Sequence, residues 1–142
     1  MRHVLVLAAM LALATPAVAQ SVYEFPDDEE EAVFIVNEVI ATLYHELGHA
    51  LIDVLQLPVL GKEEDAADHL SVILMNDIWD EDSAAAVLAS DATAYALQAA
   101  RREAGGEEPA YADEHSLDMQ RYYNVVCLFY GANPDERQKL AD

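Results

Sequence analysis

The chain has 142 residues, which suits one domain with a modest core. It carries 7 Lys+Arg against 27 Asp+Glu, a formal net charge of −20, which argues against nucleic acid and anionic membrane surfaces as partners and favours cations. With 54% hydrophobic residues, it is not a disordered acidic tail.

Arg2 and His3 give a short basic start, Val4 to Leu13 is apolar, and Ala17-Val18-Ala19 places small residues where a signal is cut. This pattern predicts a signal peptide over 1–19 and a secreted or periplasmic protein. The apolar run is shorter than the ~20 residues a membrane span needs, so no membrane span is expected. Residues 20–142 then form a single helical domain. Ser21 to Phe25 allows a short edge strand.

A helix is predicted from about Asp28 to Leu55, closed by Pro58. The turn Leu57 to Gly61 is short, so the next helix, about Lys62 to Trp79, packs antiparallel to the first. "DEDS" caps a third helix, about Ser83 to Ala104, ended by Gly105-Gly106. "GGEEPAYADEH" is the longest loop. A fourth helix runs from about Ser116 to Tyr130, and Asn133 with Pro134 starts a fifth, short segment. The expected fold is all-α, a small bundle of about four helices around a central helix. Trp79 and Met75 read as core. Cys127, in the apolar pattern "NVVCLFYG", reads as a buried free thiol.

The first helix carries the chemistry. From Phe34 to Leu55 most positions are apolar, the pattern of a helix buried all round. Its polar exceptions after Asn37, namely Glu38, Thr42, His45, Glu46, His49 and Asp53, fall within one arc of roughly 100°. That stripe contains "HELGH", an HExxH. The i, i+4 spacing brings His45 and His49 together so that both imidazoles reach one zinc ion at about 2.0–2.1 Å. Glu46 lies beside them as the general base for a metal-activated water. Gly48 leaves room for another helix or a substrate, which would explain a residue costing about 1 kcal/mol in a helix interior.

A catalytic zinc wants three protein ligands and an open position. The second helix opens with Glu64 and Asp68 on one face, opposite the end of the first. Glu64 as ligand, with Asp68 accepting the far N–H of a ligand histidine, is the economical assignment. Glu63, Asp65 and His69 are rivals, and Asp68 is itself a competent ligand.

HELGH followed by the ExxxD of Glu64 and Asp68 resembles the gluzincin arrangement of thermolysin-like zinc peptidases. "HELGHALIDVLQLPVLGKEEDAAD" and "DEHSLDMQRYYNVVCLFYG" resemble more closely a family of secreted bacterial metallopeptidase-like proteins of unknown function, over residues 33 to 135. The resemblance implies a Zn2+ cofactor and a peptide or protein substrate. In the second block, His115, Tyr122 and Tyr123 are candidate donors to the oxyanion of the attacked carbonyl. The likeness of that block singles out His115. The resulting expectation is a secreted zinc metallopeptidase. The alternative is a non-catalytic zinc-binding or interaction module that retains the metal site.

Overall fold

The computed structural model describes residues 26–140. The expected signal over 1–19 and the edge strand over 21–25 lie outside the described residues.

Helix α1 spans Glu29–Leu55. The Asp28 carboxylate accepts the N–H groups of Glu30 and Glu31 at 2.9 and 3.1 Å. Three glutamates in the first turn complement the positive end of the dipole. Helix α2 spans Glu63–Ile78. Helix α3, Glu81–Gly105, is capped by Asp80 and stopped by Gly106 at φ 67, a conformation glycine takes without steric cost. Helix α4 is Asp118–Ala132, and a 3₁₀ turn follows at Gln138–Leu140. Over the described residues the fold is therefore the expected all-α bundle of four helices.

Helix α1 packs on α2 and α3, and α4 packs on the same two helices. Between them lies a core of Ala41, Val72, Met75, Val87, Leu88, Tyr95, Val125 and Phe129, among others. Trp79 packs against this core and donates its indole N–H to the Tyr44 oxygen at 2.7 Å.

Three expectations are corrected. Helix α1 is not buried all round: Val39 is 63% exposed and Leu43 64% exposed. A helix with two neighbours can bury only its inner side. Cys127 is exposed, on the side of α4 away from the core. Asn133 closes α4 instead of opening another helix. The chain then turns back through Arg137, which is buried. Its guanidinium donates to both Glu81 oxygens at 2.8 and 2.7 Å, to Asn76 Oδ1 at 2.8 Å and to the Phe129 carbonyl. This clamp ties the C-terminal segment to α2, α3 and α4.

The approach of α1 to α2 is set at Gly48. A Cβ there would stand 2.9 Å from Ala67 Cα and 3.0 Å from Ala67 O. Backbone atoms cannot yield as a flexible side chain would. Gly48→Ala is expected to destabilise the fold by about 1–3 kcal/mol, despite alanine's better helix propensity. Urea unfolding checks this. A variant as stable as the parent would show that the two helices can part without cost.

Candidate metal centre

Four side chains from three parts of the chain converge. His45 and His49 come from adjacent turns of α1, and Glu64 from the first turn of α2. His115 comes from the loop before α4. His45 Nε2 and His49 Nε2 lie 3.1 Å apart. Glu64 Oε2 lies 3.1 Å from the first and 3.2 Å from the second. His115 Nε2 is 3.0 Å from the same Glu64 oxygen.

The far side of each imidazole meets a carboxylate. His45 Nδ1 lies 2.7 Å from Asp68 Oδ1, His49 Nδ1 3.0 Å from Glu63 Oε1, and His115 Nδ1 3.1 Å from Asp113 Oδ1. A carboxylate can only accept, so each Nδ1 carries the proton. In the neutral rings every Nε2 lone pair then points at Glu64 Oε2, itself an acceptor. Such a convergence needs a cation or extra protons. The Asp68 hydrogen bond holds the His45 pKa above its ordinary value, and the Glu63 hydrogen bond does so for His49.

The donor set fits a metal ion. Ligand atoms of a tetrahedral ion with bonds of about 2.0–2.1 Å lie ~3.3 Å apart. The spacings among His45, His49 and Glu64 are close to this. His45, Glu64 and His115 also present ligand atoms within 4.8 Å of one another.

The surroundings hold these groups in place. Asp68 is buried and takes both Nε and Nη2 of Arg121, at 2.7 and 2.8 Å. Burial alone would raise its pKa, but the hydrogen bonds from His45 and Arg121 prevail and hold it at about 2. Arg121 is in turn seated 4.3 Å over the Tyr95 ring. Lys62 donates to the carbonyls of Asp113 and His115 at 3.0 and 2.8 Å, and Ser116 donates to Asp65 at 2.7 Å. These contacts fasten the His115 loop to the start of α2.

The rivals for the third ligand are thereby placed. Glu63 faces the back of His49, and Asp65 is engaged by Ser116. His69 makes no hydrogen bond or ion pair to the cluster among the described residues. Asp68 accepts from His45, the position the sequence suggested. Tyr122 packs against the core and Tyr123 is exposed, and neither lines the pocket beside the cluster.

A pocket of about 260 Å³ opens beside the cluster, lined by Glu38, Thr42, His45, Glu46, Asp91, Tyr95 and His115 among others. Glu46 is exposed at its rim and makes no hydrogen bond among the described residues. A larger pocket of about 520 Å³ adjoins it, sharing Gln98, His115 and Arg121.

Sequence reasoning missed Arg121, Asp91 and Tyr95. Arg121 lies in the second family-like block, where nothing in spacing ties it to Asp68. Asp91 had a legible signal, as a lone acid deep inside the alanine-rich third helix. No helix of the described residues is long and apolar enough to cross a membrane.

The profile of a protein family described as "Putative metallopeptidase" matches residues 7–142. No curated protein matches the chain. No solved structure matches it either.

Proposed function

The chain belongs to that metallopeptidase family, and on this premise we propose that it is an exported zinc-dependent peptidase. The observation that carries the proposal is the convergence of His45 Nε2, His49 Nε2 and Glu64 Oε2 within 3.1–3.2 Å of one another. Two imidazoles and one carboxylate form a zinc donor set, and His45, His49 and Glu64 would hold the ion. When bound, the ion supplies a Lewis acid for a carbonyl oxygen and lowers the pKa of its water to about 7.

The chain's own residues do the rest. Asp68 and Glu63 fix the tautomers of His45 and His49, so each presents a lone pair at Nε2. Glu46 is unpaired, next to His45 on the pocket rim. It accepts a proton from the attacking water and returns it to the departing amine. In its doubly protonated form His115, fastened through Lys62, would donate from Nε2 to the oxygen that gains charge as the carbonyl is attacked. Residues 1–19 would direct export.

A second reading has its own support. His115 Nε2 stands as close to Glu64 as the two α1 histidines do. As a fourth ligand it would close the coordination sphere, the arrangement of structural sites. The chain would then be a zinc-binding module without catalysis.

The first test is metal content of protein purified without chelator, beside His49→Ala. About one zinc per chain, lost in the variant, is expected. Protein that takes up no zinc at neutral pH would sink both readings. His115→Ala separates them. As a charge donor His115 is dispensable for metal, whereas a fourth ligand is not.

A further inference from the structure

The larger pocket, of about 520 Å³, holds none of the metal-facing carboxylates. It lies between the C-terminal half of α3, the loop before α4 and the first turn of α4. Ala99 comes from α3, Pro109 and Ala110 from the loop, and Leu117 and Met119 from the start of α4. Met119 is 39% exposed, an apolar side chain that the fold leaves for a guest to cover. Most polar groups of the wall are engaged within the protein. The Arg102 guanidinium donates to Asp118 at 2.8 Å, His115 meets Asp113 at 3.1 Å, and Arg121 is held by Asp68. Glu103 and Glu108 are exposed, where water solvates them. The surface left to a guest is apolar, and the volume falls in the range of ligand sites, about 300–1,000 Å³.

This pocket is joined to the metal centre. Gln98, His115 and Arg121 line it and also line the pocket beside the cluster. His115 forms the junction: its Nε2 lies 3.0 Å from Glu64 Oε2, and the same side chain borders the apolar pocket. Gln98 is exposed and makes no hydrogen bond among the described residues. Its amide can donate to and accept from a peptide backbone that passes between the two pockets. The walls are fixed in place, because Arg102 bridges α3 to α4 and Lys62 grips the carbonyls of Asp113 and His115.

We infer that this pocket is a specificity subsite for an apolar side chain of the substrate, next to the bond attacked. This rests on the peptidase reading and narrows it to peptides with a large aliphatic or aromatic residue beside that bond. An extended peptide advances about 3.3 Å per residue and turns alternate side chains to opposite faces. A carbonyl held at the metal centre therefore has a neighbouring side chain within reach of the wall beyond His115. Transfer of that side chain out of water, against Ala99 on one wall and Met119 on another, supplies the discrimination.

The test uses full-length protein loaded with zinc and blocked peptides of one glycine-rich sequence. Their central residue is glycine, leucine, phenylalanine or lysine. Cleavage is followed by mass spectrometry, and binding by calorimetry with Glu46→Gln protein, which leaves the peptides intact. The leucine or phenylalanine peptide is expected to exceed the glycine peptide by about tenfold or more in kcat/KM and in affinity, with the cut beside the central residue. Ala99→Phe, which fills the pocket from α3, and Met119→Asp, which makes it polar from α4, should each bring that ratio close to one. Zinc content of both variants shows that the metal centre has survived. Equal values for all four peptides, a ratio untouched by both variants, or a lysine peptide that exceeds the apolar ones would overturn the subsite. Cleavage of all peptides at one rate would do so while leaving the peptidase reading in place. An apolar preference in binding, by a parent protein that cleaves none of them, would sink the peptidase reading and leave the subsite standing. Peptides neither bound nor cleaved would remove both.

Discussion

Glu46→Gln is expected to keep the metal and lower kcat by about 10²–10⁴, the usual contribution of a positioned general base. The carboxamide has nearly the shape of the carboxylate but cannot accept the proton of the attacking water. Glu46 makes no hydrogen bond among the described residues, so the substitution breaks no visible contact. The proposed ligands His45, His49 and Glu64 are untouched, as are the acids behind the histidines. KM should therefore move little and zinc content not at all. His49→Ala is the contrasting variant, because it removes a proposed ligand and is expected to abolish both metal binding and turnover. Steady-state kinetics on a peptide substrate, with metal analysis of the same samples, checks both. A Glu46→Gln protein that retains zinc and the parental rate would remove Glu46 from the mechanism. If the parent protein itself binds zinc but cleaves no peptide, the zinc-binding module is favoured, with His115 closing the site.

The parts of the site legible in the sequence were those written in local periodicity. The i, i+4 spacing of His45 and His49 required only that α1 be a helix, and its apolar pattern ensured that. Glu64 followed from the short turn, which forces α2 back along α1. Asp68 followed because it lies one turn beyond Glu64 on the same face. What could not be read is what long-range packing decides. Arg121 reaches Asp68 across 53 positions of sequence. That contact depends on how α4 settles against α2. His115 was found through likeness of its block, but its distance to Glu64 depends on Lys62 gripping two carbonyls of an irregular loop. The exposed flank of α1 shows the limit of composition. Apolar residues on most sides of a helix describe what it is able to bury, while the number of neighbours decides what it does bury. Cys127 repeats the point on α4.

Asp91→Asn is expected to change how stability depends on pH, and the sign can be worked out. Burial pushes the Asp91 pKa up to about 7, and the charges of Glu38 on α1 and Asp68 on α2 push in the same direction. Arg121 on α4 and the Tyr95 hydroxyl on its own helix oppose them without prevailing. In the unfolded chain an aspartate titrates near 3.9. Between roughly pH 4 and pH 7 the native state therefore holds a proton that the unfolded state has lost. Stability must fall as pH rises through that window, by up to about 1.4 kcal/mol per pH unit and roughly 4 kcal/mol in all. Above it the deficit is constant. Asparagine has no charge to bury, so the variant should gain on the parent by that amount between pH 4 and pH 8. Urea unfolding of both proteins at matched pH measures the difference directly, and the shared histidine titrations cancel. A constant difference across the range would mean that Asp91 titrates as an ordinary carboxyl. A rising one would mean that the fold carries a buried acid at a stability cost which a single neutral substitution would relieve. Natural proteins tolerate such costs at functional sites. The cost of Asp91 falls in the pocket beside His45 and His115, at the candidate site.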